Sequence, residues 1–246
     1  MAHVTGIWRH PIKSHGREPL DTVMLRAGEA MPFDRLWAVA HERSRADGTE
    51  WAHCGNFCRV AKMRELMAMT ASYCAETSKM TLRIPGHDDL CFDPDTEEAR
   101  FLDWISEIVK TDSLRPARLL RARGPAFTDS PFPSVTLCNA ASHRAVESEM
   151  SRTLSHLRWR GNVWIEGLEP WEERDWLGRE IRIGSVQFHV RELTERCKAT
   201  HSNPATGKRD ADILGGLETW GHQEFSVRAE VVRGGTLSIN DEVAYV

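Results

Sequence analysis

Cys197 has the sequence surroundings that most favour chemistry. It lies in the segment Glu195–Thr200 (ERCKAT), between an arginine and a lysine. Neighbouring cations stabilise the thiolate, which is both the nucleophilic and the metal-binding form of cysteine. The turn-forming residues 201–207 follow directly, so we expect Cys197 where a strand gives way to a loop, a common place for reactive groups. An inert, partly buried cysteine is the alternative.

A zinc site is the second chemical possibility. His53, Cys54 and Cys58 supply three donors within six residues. A structural zinc ion needs a fourth ligand, and no CxxC or HxxxH partner follows, so this interpretation is the weaker one. The remaining cysteines lie in apolar or strand-like contexts and are expected to act as small buried side chains; they are Cys74, Cys91 and Cys138.

Basic side chains recur near the ends of predicted strands. Lys13 and Ser14 lie in a turn after the first strand, and Arg35 precedes the second. Arg160 and Asn162 lie at the start of a third. Taken singly, each belongs to an ordinary surface turn or solvated basic stretch. Together they supply several basic groups of the kind that a phosphorylated ligand requires.

Short strands dominate the pattern that must position these groups. Apolar runs predict strands at 4–8, 36–40, 162–165, 181–183, 186–190 and 225–231, with a hairpin turn at Gly184-Ser185. Helical spacing predicts two helices, at 97–110 and at 142–157, the second with Ser142 as its N-cap. Turns at 234–235 and 240–241 predict a final pair of short strands.

The segment 114–133 is rich in proline and arginine, and its four prolines argue against a continuous helix or a central strand. Its four arginines, Arg115, Arg118, Arg121 and Arg123, could bind an anion, but a solvated connecting segment is the favoured interpretation. The change in composition predicts a domain boundary near residue 112, giving domains 1–112 and 113–246.

Composition excludes several classes of function. The 246 residues carry a net charge of −4, whereas general nucleic-acid binders usually have a basic surplus. No apolar run approaches the roughly 20 residues that span a bilayer, and the N-terminus does not resemble a secretory signal. We therefore expect a cytoplasmic protein that binds neither nucleic acid nor membrane.

Six short motifs occur in an order that resembles a known family. The motifs are His10–Ser14 (HPIKS), Asp34–Trp37 (DRLW), Trp159–Asn162 (WRGN), Trp176–Gly178 (WLG) with Ile183–Gly184, Arg196–Thr200 (RCKAT) and Gly235–Val243 (GTLSINDEV). The order resembles MOSC-domain proteins with an N-terminal β-barrel-like domain, a group that includes the mitochondrial amidoxime-reducing component and the C-terminal part of molybdenum cofactor sulfurase. The resemblance covers nearly the whole chain. It implies an α+β, predominantly β fold, with a MOSC-type β-barrel domain packed on an N-terminal β-rich subdomain and a few helices.

The resemblance also implies a molybdenum cofactor, bound between the two subdomains. Cys197 matches the cysteine of the family's Arg-Cys-x-x-Thr motif and is the implied molybdenum ligand and catalytic residue. Soft thiolate is a sensible donor for such a metal. The implied cofactor-binding residues are Lys13, Ser14, Arg35, Arg160, Asn162 and Arg196, with Asn139 and Ser142 in a further matching stretch.

The chain departs from the family pattern at three positions. His15 stands where relatives often have cysteine, Gly161 where proline is frequent, and Asn240 where glycine is usual. None of these is the implied metal ligand, so cofactor binding remains the expectation. His201 is a candidate general acid because imidazole titrates near neutral pH, although an exposed turn histidine is the favoured alternative. His15 could likewise alter substrate choice or proton supply.

The activity implied by the resemblance is a molybdenum-dependent oxidoreductase. It would reduce N-hydroxylated compounds by two-electron removal of an oxygen atom, with the protein orienting cofactor and substrate. The chain shows no nicotinamide fingerprint and no plant-type iron–sulfur spacing, so electrons are expected from a separate reductase or iron–sulfur protein. Two alternatives stay open: a carrier or storage protein for the molybdenum cofactor, and a sulfur carrier that holds a persulfide on Cys197.

Overall fold

The computed structural model describes residues 1–109 and 114–245 and shows a mostly β protein with three α-helices in those ranges. This confirms the predicted α+β, predominantly β class. The helices are α1 (Glu98–Ile108), α2 (Ala140–Glu149) and α3 (Ile213–Glu218). The strands are β1 (His3–Arg9), β2 (Ile12–Lys13), β3 (Glu18–Leu20), β4 (Thr22–Leu25), β5 (Trp37–His41), β6 (Thr70–Cys74), β7 (Lys79–Arg83), β8 (Leu90–Phe92), β9 (Pro116–Arg121), β10 (Val135–Asn139), β11 (Val163–Glu166), β12 (Glu180–Ile183), β13 (Val186–Glu195), β14 (Glu224–Arg233), β15 (Gly235–Ser238) and β16 (Val243–Tyr245).

The largest sheet has eight strands in the order β16-β12-β13-β14-β10-β11-β1-β3. Its pairings are antiparallel except that between β10 and β11. The sheet is not closed, but it curls until Val4 donates to the carbonyl of Asp241 at 2.9 Å and accepts from the amide of Asn240 at 2.8 Å. Apolar side chains such as Leu137, Phe188 and Val227 form its core, because alternate residues of each strand face the same side.

Two smaller sheets form a second body. One has the order β2-β5-β9 and the other β6-β7-β8. Helix α1 closes this body by burying Phe101 and Ile105 against a core that includes Leu82 and Phe92. Burial of this apolar stripe explains why the predicted amphipathic segment folds as a helix.

The chain cannot be cut at a single residue into segments that correspond to these two bodies. Strands β1 and β3 lie in the eight-stranded sheet, β4 pairs with β15, and β9 pairs with β5. Strands from both sides of residue 112 therefore share three sheets. Residue 112 itself lies outside the described residues, and the domain boundary there stays a prediction.

The second observed helix, α2, is shorter than the predicted range 142–157 and starts earlier, at Ala140. Helix α2 begins after Asn139, whose side chain accepts a hydrogen bond from the amide of Ala141, so Ser142 is not the N-cap. The helix ends at Glu149, and Ser151 adopts a left-handed φ of 49° that cannot continue it. The first predicted helix is confirmed at α1, and its predicted end at Lys110 lies outside the described residues.

The segment 114–133 contains a strand that the sequence interpretation missed. Its first part forms β9, an edge strand paired with β5, with Pro116 at its first residue where no ladder hydrogen bond is lost. Arg118 donates to the carbonyls of Ser44 and Ala46, and Arg121 forms an ion pair with Asp95. The expectation of a solvated connecting segment is therefore wrong for residues 116–121.

The hairpin prediction is confirmed, and the two predicted final strands are present but do not pair with each other. Ile183 pairs with Val186 across the two-residue turn Gly184-Ser185. Strand β15 pairs with β4, and β16 pairs with β12, so the two last strands do not pair with each other. Each of these two strands pairs instead with a strand far away in the sequence, because packing against cross-strand neighbours matters more than the local turn.

Candidate functional site

A cavity of about 490 Å³ brings together residues from distant parts of the chain. This volume lies in the range of small-molecule sites. Six of the nine predicted site residues line the cavity, and three do not. The six are Lys13, Ser14, Arg35, Arg160, Arg196 and Cys197.

Cys197 lies just beyond the end of β13, at the start of a 3₁₀ turn formed by Lys198–His201. It is exposed, as a reactive or metal-binding thiol must be. The Thr200 hydroxyl donates to the Cys197 carbonyl at 2.9 Å, and the Thr200 amide donates to the same oxygen at 3.1 Å. The threonine of the motif therefore closes the turn that begins with the cysteine, as local side-chain hydrogen bonds commonly do. The expected position at a strand-to-loop junction is confirmed.

Lys13, Ser14, Arg35 and Arg160 all line the cavity, and we call these four residues the cationic wall. Arg35 Nη2 donates to the Arg160 carbonyl at 2.9 Å, and Arg160 Nη2 donates to the Gly16 carbonyl at 3.2 Å. Arg160 Nη1 is buried with no hydrogen-bond partner among the described residues. Burial, together with the positive charge of Arg35, lowers the pKa of Arg160 to about 9. A buried cationic group with a free donor is the side chain that an anionic ligand would satisfy.

The backbone of the cationic wall is also unusual. Ser14, Arg35 and Arg160 have φ values of 65°, 52° and 52°, in the left-handed region that few non-glycine residues adopt. Such conformations cost roughly 1–3 kcal/mol each and cluster at functional sites. Three strained residues on one wall indicate that the fold holds these side chains in place at a cost to stability.

The ammonium group of Lys13 is already engaged by other residues of the protein. Its Nζ donates to the Phe127 carbonyl at 2.7 Å and forms an ion pair with Asp129. Burial lowers the pKa of Lys13, and Asp129 opposes this shift. Asp129 also lines the cavity but was missed from the sequence, because it lies in the segment interpreted as a connection.

Arg196 is held by the protein rather than left open. Its Nε donates to the Phe225 carbonyl at 3.0 Å, and its Nη1 donates to the Trp159 carbonyl at 2.8 Å. The guanidinium carbon lies 5.5 Å and 5.6 Å from the ring centroids of Trp159 and Phe225. Burial lowers its pKa to about 10. We call this arrangement the arginine clamp; it fixes the residue before Cys197.

Asn162 lies outside the cavity and acts on one of its residues. Its side chain is fully buried; Nδ2 donates to the Trp8 carbonyl at 3.0 Å, and Oδ1 accepts from the Thr136 amide at 3.1 Å. Arg35 Nη1 approaches the same Oδ1 at 3.5 Å. Asn162 therefore positions Arg35 from behind the cationic wall.

Asn139 and Ser142 lie apart from the cavity. Asn139 Nδ2 and Ser142 Oγ each donate to Oε2 of Glu173 at 2.8 Å. Burial raises the pKa of this carboxyl group. These contacts serve the packing of α2, and a role for the two residues in cofactor binding stays a prediction without a contact to support it.

The two histidines also lie outside the set of described residues that line the cavity. His15 is buried, and burial lowers its pKa to about 4, so it is neutral near pH 7. His201 Nε2 lies 3.5 Å from Asp212 and accepts from the Leu214 amide at 3.4 Å. Burial lowers the pKa of His201 as well. His201, the candidate general acid, is therefore engaged by Asp212 and Leu214 and does not line the cavity.

The other departures from the family pattern have steric explanations. A Cβ added to Gly161 would lie 2.1 Å from Cys138 Sγ, so glycine makes room for the buried cysteine. Asn240 has a φ of 71°, where glycine is favoured and asparagine is among the best-tolerated alternatives. Neither residue lines the cavity.

The zinc interpretation has no support in the residues described. No group of three or more histidine, cysteine, aspartate or glutamate side chains there is arranged to hold a metal ion. Cys58 is buried, and burial raises the pKa of its thiol to about 12. Cys54 Sγ accepts a hydrogen bond from Arg59 at 3.0 Å.

Comparison with known families identifies the chain. A model of the MOSC domain matches residues 126–244, and one of the MOSC N-terminal beta barrel domain matches residues 1–112. The chain belongs to the MOSC-domain proteins. Taken together, the two matches account for nearly the whole MOSC protein described here, as the resemblance of its motifs indicated.

Curated relatives of this MOSC protein carry the name molybdenum cofactor sulfurase. The Anopheles gambiae protein is 39% identical over 72 residues, covering 28% of this chain and 9% of the relative. Molybdenum cofactor sulfurase 2 of Culex quinquefasciatus is 30% identical over 129 residues, covering 46% of this chain and 17% of the relative. The matches span less than a fifth of these relatives' own length.

Two solved structures resemble this MOSC protein distantly. YiiM from Geobacillus stearothermophilus shares 16% identity at a TM-score of 0.37, over 46% of this chain and 53% of YiiM. The YUAD protein of Bacillus subtilis shares 11% identity at a TM-score of 0.45, over 99% of this chain and 94% of that protein.

None of the helices in the described ranges combines the length and apolar character needed to span a bilayer.

Proposed function

We propose that this MOSC protein binds a molybdenum cofactor in the cavity and reduces N-hydroxylated compounds by removing an oxygen atom. One observation carries the proposal: the cavity is lined both by an exposed cysteine, Cys197, and by a cationic wall with an unsatisfied buried donor on Arg160. A soft thiolate and an anion-binding group are the two features that a phosphorylated metal cofactor requires. The names of the sulfurase relatives support an association with the same cofactor.

The residues present fit this cofactor. Arg160 Nη1 has a free donor for a phosphate oxygen, and Arg35 lies beside it with its guanidinium held by Asp34 and Asn162. Cys197 would be the metal ligand. The cofactor, when bound, supplies two-electron redox chemistry, and the protein supplies binding and orientation.

The chain's own contribution is to hold the turn that carries Cys197 in the same cavity as the cationic wall. The arginine clamp holds Arg196, and Arg158 Nη1 donates to the Thr200 carbonyl at 2.7 Å, which anchors the turn after Cys197. Rigid support of this kind is what a metal-binding or catalytic group needs to keep its geometry. The proposed electron donor is a separate reductase or iron–sulfur protein, and the proposal includes a cytoplasmic location.

Elemental analysis and turnover test the proposal together. The full chain, produced in a host that makes molybdenum cofactor, should contain molybdenum and reduce a hydroxylamine when a strong artificial reductant is supplied. The isolated protein should show no NADH-dependent turnover, because its sequence carries no nicotinamide fingerprint. Steady NADH oxidation by the pure chain, coupled to loss of the N–O bond, would contradict this part of the proposal.

The same experiment separates the two alternatives. A carrier or storage protein would contain molybdenum and show no turnover with any hydroxylamine or amidoxime. A sulfur carrier would contain no molybdenum and would release sulfide from a persulfide on Cys197 when treated with a thiol reductant. Either result would overturn the proposed reaction.

A further inference from the structure

A second cavity, of about 500 Å³, is lined by residues of α2, β1, β3 and β11 and shares no lining residue with the first. Four of its side chains carry aromatic rings, namely Trp8, His143, His156 and Trp164, and we call it the aromatic cavity. The ring centroid of His156 lies 6.1 Å from that of Trp8 and 4.8 Å from that of Trp164. The volume lies in the range of small-molecule sites, and rings of this kind pack well against a flat ligand.

The indole N–H of Trp164 is the most informative group in the aromatic cavity. The residue is only 4% exposed, and its Nε1 has no hydrogen-bond partner among the described residues. Three other buried tryptophans, Trp37, Trp159 and Trp176, each donate from Nε1 to another side chain. Burying a donor without a partner costs free energy, and a buried indole N–H usually finds an acceptor. A ligand that accepts from Trp164 would remove this cost.

Gly6 keeps the space beside Trp164 open. The two residues pair directly across β1 and β11, and directly paired residues face the same side of a sheet. The register of this pairing shifts between Val4 and Gly6, and both bulges and strand glycines are common where a ligand approaches the backbone. A Cβ added to Gly6 would lie 3.2 Å from Trp8 Nε1 and 3.6 Å from Trp164 Cβ. A side chain at this position would therefore crowd both tryptophans.

The charges around the aromatic cavity favour a neutral ligand. Arg144 lines the cavity, but its two Nη atoms donate to the carboxylate of Glu166 at 2.7 Å and 2.6 Å. Burial lowers the pKa of His143 and of His156, so both rings are neutral near pH 7. Asp21 is exposed, and solvent screens its charge.

We propose that the aromatic cavity binds a neutral, planar heteroaromatic ring that bears a hydrogen-bond acceptor. The ring packs against Trp8 and His156, and its acceptor nitrogen or carbonyl oxygen accepts from Trp164 Nε1. The site is separate from the cavity that contains Cys197, and the inference does not rest on the proposed function.

The first test compares two bicyclic probes by calorimetric titration of the full chain. Quinoline is uncharged at neutral pH and has a ring nitrogen that accepts a hydrogen bond. Indole is also bicyclic and planar, but its N–H can only donate. The wild type should bind quinoline about tenfold more tightly than indole, because only quinoline completes the hydrogen bond of a buried donor.

Trp164→Phe should remove this preference. The variant keeps an aromatic ring but lacks the N–H, so the Kd for quinoline should rise about tenfold, and the two probes should bind about equally. Trp104→Phe is the matched control. It also deletes an indole N–H, but Trp104 lies on α1, donates to the Asp88 carbonyl at 2.9 Å and does not line the aromatic cavity. It should leave both Kd values at the wild-type level.

Gly6→Ala tests the cavity without touching the hydrogen bond. The added methyl group takes up space beside Trp164, so both probes should bind about tenfold more weakly. The unfolding temperature should stay close to that of the wild type, because the ring of Trp8 is only partly buried and can shift by a few tenths of an ångström. This variant keeps the proposal testable if Trp164→Phe does not fold.

Three results would overturn the inference. One is a wild-type protein that binds neither probe at millimolar concentration, and another is a wild-type protein that binds the two probes equally. The third is a wild-type Kd for quinoline in a folded Trp164→Phe or Gly6→Ala variant, which would show that the probe binds elsewhere on the protein.

Discussion

Arg160 and Arg196 line the same cavity, yet their surroundings differ. In the arginine clamp, Nε, Nη1 and Nη2 of Arg196 all donate to carbonyls, and the guanidinium lies against two aromatic rings. In the cationic wall, Arg160 donates to one carbonyl, and its Nη1 has no partner among the described residues. One arginine is therefore satisfied by the fold, and the other retains a donor for a ligand.

This difference teaches how to separate structural from ligand-binding residues within one cavity. Burial lowers the pKa of both arginines, so burial and charge alone do not distinguish them. The hydrogen-bond partners do, because a buried donor without a partner destabilises the protein unless a ligand completes it. Variants of the two arginines should accordingly lose different properties.

The largest effect is expected for Arg196→Ala, measured as stability. The change leaves the carbonyls of Trp159 and Phe225 without their donor and removes the contact of the guanidinium with the two rings, at a total cost of roughly 3–5 kcal/mol. Denaturant unfolding monitored by tryptophan fluorescence would report this loss. An Arg196→Ala protein that unfolds at the wild-type denaturant concentration would show that the clamp does not stabilise the fold.

The next effect is the pH dependence of stability that comes from His15, behind the cationic wall. Burial, aided by Arg160, lowers its folded pKa from 6.5 to about 4. Between these values the unfolded chain binds a proton that the folded protein does not, so stability falls as the pH falls from 6.5 towards 4. The loss from His15 should reach about 3 kcal/mol.

His15→Asn should flatten this pH dependence, because the amide can replace the donor to the Lys13 carbonyl without titrating. His87→Gln, at an exposed position, is the control and should keep the wild-type slope. Equal slopes for His15→Asn and the wild type between pH 6.5 and 4 would contradict the assignment to His15.

The smallest of these effects is expected for Arg160→Ala, and it should appear in cofactor affinity rather than stability. Losing a charge-assisted hydrogen bond costs about 1.5–3 kcal/mol, which is roughly tenfold or more in affinity. Arg35→Ala should behave similarly, and Arg160→Lys should recover only part, because an ammonium cannot reproduce the fork of a guanidinium. Cofactor content and unfolding temperature, measured on the same samples, check this prediction.

Unchanged cofactor retention in both alanine variants would place the anion site elsewhere. The arginines of 115–123 would then be the first residues to examine. Two of them, Arg118 and Arg121, are already engaged by the carbonyls of Ser44 and Ala46 and by Asp95. If the anion site lies at the cationic wall, alanine at either position should therefore leave cofactor content unchanged.

Six of the sixteen strands in the described ranges could be predicted from apolar runs, because such runs report burial in a sheet; they are β1, β5, β11, β12, β13 and β14. Strand β9 could not, since its prolines and arginines indicate a loop and only pairing with β5 makes it a strand. The start of α2 was misplaced for a local reason: both Asn139 and Ser142 can cap a helix, and the sequence does not show that Glu173 engages the serine.

The candidate site shows the same limit. Lys13, Arg35, Arg160 and Cys197 could be proposed from their motifs, and the structure brings them to one cavity. The role of Asn162 behind Arg35 could not be predicted, because it depends on hydrogen bonds between residues more than a hundred positions apart. The lining residues Thr136, Glu192 and Arg228 were missed for a related reason: they lie in strands whose alternation looks ordinary until the register shows which face they share.

The most direct test of the central claim is the turnover of Cys197→Ala, measured with an artificial reductant on protein whose molybdenum content is known. Cys91→Ala is the matched control, because Cys91, which like Cys74 is exposed and not buried as expected from the sequence, lies on β8, outside the residues that line the cavity. We predict that Cys197→Ala folds but loses turnover of hydroxylamines and amidoximes. Cys91→Ala should retain both wild-type turnover and molybdenum. A folded, molybdenum-loaded Cys197→Ala protein with wild-type turnover would contradict the assignment of Cys197 as the metal ligand.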